Sequence, residues 1–557
     1  MSKKKKNIPS AIPPPEVQAP KTKAKPPMEG RAGLVALCAV AVAIVRIVSS
    51  YSGMGITFDE PAHLACGLQY LHQHVYQYEP QHPPLARVMV AVGPYLSGIR
   101  PKGLPNKWNE GVEDYYQGGH TTRTVALSRL GILPFFVLAC LTLYWWGCRD
   151  FNPSTGALAV VLFTLVPPVL AHGGLATTDM ALTACLGAAF FAMRVWAEEP
   201  SLRHSLLFGA SVGLAVASKF TALGFFPAAA AMAAAAWVAV ERPSAARARA
   251  ILKTHVKPLL IAMGAGAITI WALYRFSFGQ SEAWGISLPA PELFDGIARA
   301  VKHNRGEGGG YLFGKLSPTG FWYFFPVILS LKTPIGFLLL TVLGLYLVFR
   351  WRHELRRWLP LALVLGVLLP AMTSPVNYGV RHVLPIYLGL SLIAARVLVG
   401  MTEYGVAWKT AAAGLVLWIA ASGAIHHPDY LAYGNELVGR EPENVMVDSD
   451  LDWGQGTIRL ARRLRELGAT SVGFFTMNFD SEHLQKWPGL PPVTKINPLV
   501  PAEGWTAVSP TFWKVGQYGL DHRYPGVEPW FTAIPPAERV GPLILYYVPP
   551  GALKGMQ

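Results

Sequence analysis

Long apolar runs recur along most of the first 424 residues, near 33–48, 126–147, 155–171, 179–197, 204–218, 220–240, 257–275, 324–349, 358–373, 381–399 and 407–424. In lipid every backbone N–H and C=O must be satisfied within the protein, so runs of this kind are read as helices that cross a bilayer. Several are shorter than the roughly 20 residues needed to cross untilted. The chain is therefore expected to be a polytopic α-helical membrane protein with about eleven transmembrane helices. Charged residues make up 15% of its 557 positions, where a soluble chain carries about a quarter. A net charge of +15 would suit a nucleic-acid partner, but the basic residues sit in the N-terminal tail and in short loops between apolar runs. That placement points to membrane orientation instead, and no nucleic acid is expected.

Residues 1–32, with Lys3 to Lys6 and many prolines, cannot bury a core and are read as a disordered cytoplasmic tail. The run 33–48 has the basic flank of a signal peptide but lacks a small-residue cleavage site before Tyr51, so it reads as an anchor. Residues 33–424 form the membrane domain, with long outer loops at 51–125 and 276–323. The segments 241–257 and 350–357 are visibly basic and belong on the cytoplasmic side. With the N-terminus inside and an odd number of spans, residues 425–557 lie outside, and every polar cluster of interest falls on that same face. This last part exchanges apolar runs for Gly, Pro, Trp and polar residues, and is expected to be a small extracytoplasmic α/β domain. Within it, 443–478 reads as strand, acidic loop, helix and strand. The helix spans 457–467 and gathers Ile458, Leu460, Leu464 and Leu467 on one side. The five cysteines have neither disulfide nor zinc spacing and read as small apolar fillers.

Chemistry concentrates in residues 57–85, TFDEPAHLACGLQYLHQHVYQYEPQHPPL, too polar for a span yet set beside one. Carboxylates and imidazoles are costly next to lipid, so such a cluster is a functional-site candidate. Asp59 and Glu60 stand at the outer end of the first run, and Asp179 at the outer start of a later one, in HGGLATTDMALTACL. Acids from separate outer loops converging on one cavity would let one carboxylate take a proton from an acceptor hydroxyl while the other supports it. Asp179 is also well placed to cap its helix, a role compatible with catalysis. Lys219 in ASKFTAL, Lys332 in LKTP, and Arg381 and His382 in NYGVRHVLPIY supply cations near the outer surface, which suits an anionic phosphate leaving group. Arg275 reads as a residue snorkelling to the headgroups. The glycine-rich stretch 303–320 lacks the P-loop order and is expected to form a mobile cover or a flexible loop. DSDLDWGQ at 448–455 lacks the sixth-place Gly and distant Glu of an EF-hand. His63, Glu79, His82 and His303 remain candidates for contact with substrate or a metal, whose requirement stays open.

In order and on one side, the DE pair 59–60, HPPL at 82–85, LATTD, SKFTAL at 218–223, YLFG with FWYFFPV and LKTP over 311–334, and NYGVRHVLPIY at 377–387 resemble the GT-C superfamily of membrane glycosyltransferases. The chain is most similar to its protein O-mannosyltransferases and lipid A aminoarabinose transferases, and DSDLDWGQ looks like a segment of bacterial members with a small outer domain. The resemblance implies a polyprenyl-phosphate-linked sugar donor, inverting transfer and a glycan, lipid or protein acceptor entering from outside a bacterial plasma membrane. It also implies Asp59 as general base, Asp179 as a second site acid, and Lys219, Lys332, Arg381 and His382 around the lipid phosphate. Where aminoarabinose transferases carry a glutamate just before Lys-Pro-Pro-Leu, this chain has Gln81 and His82, with Glu79 further back. The competing readings are a transporter or flippase of lipid-linked sugars, which would call for an internal repeat and mid-membrane ionisable groups, and a noncatalytic scaffold.

Overall fold

The structure is a computed structural model that describes residues 30–306, 308–475, 487–523 and 525–552. Residues 1–29 of the expected tail, and 476–478 of the last strand expected in the C-terminal unit, lie outside the described residues.

Among the described residues eight helices are long and apolar enough to cross a membrane: Arg31–Gly53, Thr121–Asp150, Asp179–Glu198, Ala222–Glu241, Ala245–Leu273, Leu355–Met372, Ile386–Glu403 and Val406–Ile425. A ninth is reached if Pro153–Leu165 and Pro167–Gly173, bent by 76°, count as one span. The bend follows from the Pro167–Pro168 pair, because Val166 is forced into an extended conformation at ψ 119°. The eleven apolar runs all have helical counterparts, yet Leu202–Ser218 and Ile335–Arg350 are only 17 and 16 residues long. The second of these is short because the run 324–349 breaks at Thr333–Pro334 into Phe324–Lys332 and Ile335–Arg350. Pro334 removes an amide donor and pushes Thr333 to φ −106°, ψ 133°. Likewise the run 381–399 begins its helix only at Ile386, which leaves Arg381 and His382 in a short turn, Val380–Val383.

Ile386–Glu403 is the most interior of the eight helices. Small residues let others approach closely: a Cβ on Gly209 would stand 1.9 Å from the carbonyl of Ala262, across the contact of Leu202–Ser218 with Ala245–Leu273. The loop 51–125 is largely helical, in Glu60–Gln73, Pro84–Leu96 and Lys107–Tyr116. Gly67 sits against the Arg87 carbonyl and Gly111 against that of Pro61, so these three helices form one packed cap at the end of the bundle. The loop 276–323 supplies a hairpin, Phe278–Gln280 with Ser287–Pro289, and a helix, Pro291–Gly306. The glycine-rich stretch is more regular than expected: Gly309–Leu312 pairs with Lys315–Ser317 and, in parallel, with Val376–Asn377. Its glycines serve that pairing, since a Cβ on Gly310 would collide with the Asn377 side chain at 2.6 Å.

The C-terminal part holds a five-stranded mixed sheet ordered Val493–Lys495, Val472–Phe475, Gly504–Val508, Leu543–Val548, Glu538–Val540. The amphipathic helix is present as Thr457–Glu466 and buries Leu460 and Leu464 against Val472, Phe474 and Leu545. Ile458 departs from that face and packs onto the core of the membrane bundle. The strand expected before the acidic loop does not form. Its place is taken by short turns at Pro442–Asn444 and Asp448–Asp450, because this segment's polar groups are bonded to the membrane bundle instead of to a sheet neighbour.

Candidate active site

Asp59 precedes the helix Glu60–Gln73, whose first turn contains Pro61 and so begins sharply where the loop from the first span ends. Its carboxylate, 24% exposed, accepts a hydrogen bond from Arg381 Nη1 at 2.7 Å. The same Nη1 lies 3.9 Å from Asp179 Oδ2, and Asp179 Oδ1 accepts from Lys219 Nζ at 2.6 Å. Asp179 is the first residue of its helix, but its side chain turns to these cations and not to the helix amides; no side-chain cap bond is made there. The structure thus brings Asp59, Asp179, Lys219 and Arg381 together as an alternating string of acids and cations. His382 adjoins it, with Nε2 buried and without a hydrogen-bond partner among the described residues, as are Arg381 Nε and Asp179 Oδ2. Burial, then the nearby Lys219 and Arg381, hold the His382 imidazole well below its ordinary range, so it is neutral at pH 7. Burial opposes the Arg381 charge, but Asp59, Asp179 and Asp448 outweigh it and the guanidinium stays charged.

The wall behind Arg381 comes from a segment whose place in the site sequence reasoning missed. Arg381 lies over the Trp453 ring at 4.2 Å, a favourable cation–π distance. Trp453 belongs to DSDLDWGQ, which binds the Asp59 loop through Gly55 N–H to Gln455 O at 2.9 Å and Phe58 N–H to Trp453 O at 3.0 Å. On the Arg381 side, Asp450 Oδ1 accepts from Val380 N at 3.0 Å, and the Ser449 hydroxyl donates to the Tyr378 carbonyl. This acidic segment is therefore a clamp across two site loops. His172, in the quoted HGGLATTD, is also buried among the charges of Asp179, Arg381 and Lys219. The motif carried the signal in both cases; nothing in its spacing told where it docks.

Two expected site residues have other duties. Glu60 is fully buried and accepts from Arg129 Nε and Nη2, both at 2.8 Å, from Thr57 N at 2.8 Å and from Ala176 N at 3.0 Å. Burial alone would raise its carboxyl, but Arg129 and the two amides outweigh burial and keep it below the ordinary range. With its lone pairs so occupied, Glu60 is a staple between the Asp59 loop and the loop before Asp179, not a base open to substrate. Lys332 is 1% exposed and donates to the carbonyls of Leu431 at 2.7 Å and Asp450 at 2.6 Å. It fastens the acidic clamp and is not free to hold a phosphate.

Three of the remaining candidates, His63, Glu79 and His82, form a second polar layer within the cap. Arg87 Nε donates to His63 Nδ1 at 3.0 Å, so the His63 proton sits on Nε2, and His63 meets His82 edge to face at 5.6 Å. Burial first, and then Arg87, depress both imidazoles well below their ordinary range. Glu79 pairs with Arg87 and Lys107, which overcome burial and bring its carboxyl to about 2. His303 lies on the helix Pro291–Gly306, apart from this layer in the chain and joined to it where Gly296 packs on Pro80 and Phe220. Among the described residues no group of three or more His, Cys, Asp and Glu side chains is arranged to hold a metal ion.

Asp448 yields a pH prediction. Burial, opposed by Arg381, pushes its carboxyl up to about 6, and its backbone is left-handed at φ 59°. A folded value above the unfolded one means that this group's stability contribution is full below about pH 4 and is lost as pH rises through 6. Asp448→Asn, which tolerates that backbone, is expected to stabilise the protein by about 1–3 kcal/mol at pH 7.5 and negligibly at pH 4. Paired thermal melts at the two pH values check this; equal shifts would refute it.

Residues 36–278 match the family described as dolichyl-phosphate-mannose-protein mannosyltransferase. No curated protein sequence matches the chain. Among solved structures it is similar to ArnT from Cupriavidus metallidurans bound to undecaprenyl phosphate, at 11% identity and TM-score 0.48, covering 93% of this chain and 98% of that one. It is also similar to the Archaeoglobus fulgidus oligosaccharyltransferase, at 14% identity and TM-score 0.45, covering 87% of this chain and 63% of that one. A third likeness is to the S. cerevisiae Pmt1-Pmt2 complex bound to the sugar donor, at 17% identity and TM-score 0.36, covering 44% and 34%. That family match spans residues 36–278, less than half of the 557 residues, and agrees with the protein O-mannosyltransferase resemblance carried by the motifs.

Proposed function

We propose that the protein transfers a sugar from a polyprenyl-phosphate carrier to a hydroxyl acceptor, with inversion, on the outer side of a bacterial plasma membrane. The observation that carries this reading is the Asp59–Arg381 pair: a partly exposed carboxylate, in the segment matched by a family whose description names dolichyl-phosphate-mannose, beside a guanidinium that reaches it from beyond that segment. Asp59 takes the proton of the acceptor hydroxyl as its oxygen attacks the anomeric carbon from the face opposite the phosphate. The bond from that carbon to the phosphate oxygen breaks, and the carrier phosphate leaves with the electron pair. Arg381, stacked on Trp453, and Lys219, held by Asp179, stabilise the negative charge that develops on it. His382 Nε2 and Arg381 Nε, both buried and without a partner among the described residues, supply the remaining polar contacts. The basic segments 241–257 and 350–357 favour a cytoplasmic N-terminus and an extracytoplasmic site and C-terminal unit.

Purified protein incubated with a panel of labelled polyprenyl-phosphate sugars tests the reading. One donor is expected to lose its sugar to glycan, lipid or protein acceptors, and wild-type protein inert toward the whole panel would overturn it. Arg381→Ala is expected to raise the Kd of that donor about 10- to 100-fold, since hydrogen bonds to charged groups contribute roughly 1.5–3 kcal/mol. Arg381→Lys should recover only part of this. Donor affinity unchanged in Arg381→Ala would remove Arg381 from the phosphate site.

A further inference from the structure

Among the described residues seven non-glycine residues have left-handed backbone; two of them, His74 (φ 62°) and Arg275 (φ 59°), line one spot, while Phe276 (φ 55°) follows Arg275 and Ala290 (φ 52°) is bonded to Ser277 of the same lining. Such conformations are costly and collect where a ligand site demands them. The spot is a cavity of about 260 Å³ lined by Tyr70, His74, Tyr76, Tyr274, Arg275 and Glu292. It is smaller than the roughly 300–1,000 Å³ of sites for drug-sized molecules, and so suits a single ring.

Its walls define the chemistry of that ring. Tyr76 stands edge-on to Tyr70 at 6.3 Å and to Tyr274 at 6.2 Å, so three aromatic rings enclose one side. The hydroxyls of two are occupied: Tyr70 donates to the Leu273 carbonyl at 3.0 Å and Tyr76 to that of His82 at 2.6 Å. The third is not. Tyr274 is 3% exposed, and its hydroxyl has no hydrogen-bond partner among the described residues. A buried hydroxyl left unmatched is expensive, and the residue that carries this one is part of the cavity wall. Opposite lie the Glu292 carboxylate, which accepts from Ser277 at 2.8 Å, and the Arg275 guanidinium, which sits over the Tyr70 ring at 5.3 Å. One acid and one cation balance, which favours a neutral ligand over an anion. Aromatic rings for a C–H face, with hydroxyl, carboxylate and guanidinium around the rim, match the alternating apolar and polar surface of a sugar ring.

The cavity also communicates with the second polar layer. Arg87 Nη1 donates to the Tyr76 hydroxyl at 3.1 Å while its Nε holds His63, and His63 meets edge to face His82, which feels the charges of Lys219 and Asp179. We propose that this cavity binds one neutral sugar ring, the carbohydrate part of the acceptor. The acceptor role rests on the transferase reading above; sugar binding does not. A soluble glycan and a lipid-anchored sugar present the same ring.

The test uses full-length protein in lipid nanodiscs free of sugar detergents. Methyl glycosides of mannose, glucose, galactose and N-acetylglucosamine are titrated by saturation-transfer NMR, and a glucosyl diacylglycerol doped into the disc is followed by native mass spectrometry. Saturable binding in the first arm identifies a soluble ring as sufficient; binding in the second alone identifies a lipid-anchored one. Tyr274→Phe and Glu292→Gln, both near-isosteric, are each expected to weaken whichever binding is seen about five- to tenfold and to raise the acceptor KM with kcat unchanged. No saturable binding of any probe to the wild type, or unchanged affinity in both variants, overturns the proposal. If sugar binds but no polyprenyl donor is turned over, the transferase reading fails and the cavity stands. If transfer proceeds with acceptor KM unaffected in both variants, the cavity assignment fails and the transferase reading stands.

Discussion

Asp59→Asn is expected to lower turnover about 10²–10⁴-fold, roughly 3–5 kcal/mol of barrier, while expression and donor binding persist. A sugar phosphate already has a good leaving group, so the chemical aid still missing is removal of the acceptor's proton. Asparagine keeps the size and a hydrogen-bonding oxygen but has no basic lone pair to take that proton. The side chain is partly exposed, and Arg381 grips it from one side only, so an acceptor hydroxyl can reach it. Freed from Asp59, Arg381 remains stacked on Trp453 and near Asp179, so the phosphate contacts should survive. Single-turnover rates at saturating donor check the expectation. A variant that keeps wild-type turnover would show that another group is the base.

Breaking the Glu60–Arg129 pair is expected to cost about 3–5 kcal/mol of stability, the loss found when one partner of a buried ion pair is removed. Both side chains are fully buried, and Arg129 also donates to the carbonyls of Met54 at 3.0 Å and Gly55 at 2.6 Å. Arg129→Met leaves the Glu60 carboxylate uncompensated. Glu60→Gln turns amide hydrogens toward at least one of the donors of Thr57, Ala176 and Arg129. Each should lower the Tm sharply. Glu60→Leu with Arg129→Met should recover part of the loss, because no lone charge then remains. Melts of the single and double variants in lipid decide the point; single variants as stable as the wild type would show the pair is not the staple described.

This pair marks where sequence reading stops. Asp59 and Glu60 are adjacent acids of the same charge, and only the third dimension shows that one faces the site while the other is sealed beneath it. Reasoning from 100° between helical neighbours anticipates that only one would face the cavity, but cannot choose. Asp179, Lys219 and Arg381 were legible because each is an ionisable residue at the end of an apolar run, an expensive place without a purpose. Lys332 satisfied the same rule for a different reason, since its ammonium is bonded to two carbonyls of a segment about 100 residues away. The helices were legible from hydropathy, but their count was not, because Pro334 and Pro167 divide or bend runs that composition alone treats as continuous. Asp448 and Trp453 lie in a motif that is visible in the sequence but carries no sign of where it docks, since a contact across nearly 400 residues leaves no local pattern.

That docking contact fixes when in its own biogenesis the protein can act. Asp59 emerges early in synthesis and enters the membrane with the first helices, whereas Trp453, Gln455 and the Asp450 carboxylate that hold its loop and the Arg381 turn are made far later. A nascent chain halted before residue 448 has its acids and cations but lacks the bracket that sets their spacing. The centre is completed only once the last stretch has been translated and brought against the bundle, so a partly made chain in the membrane lacks the assembled site.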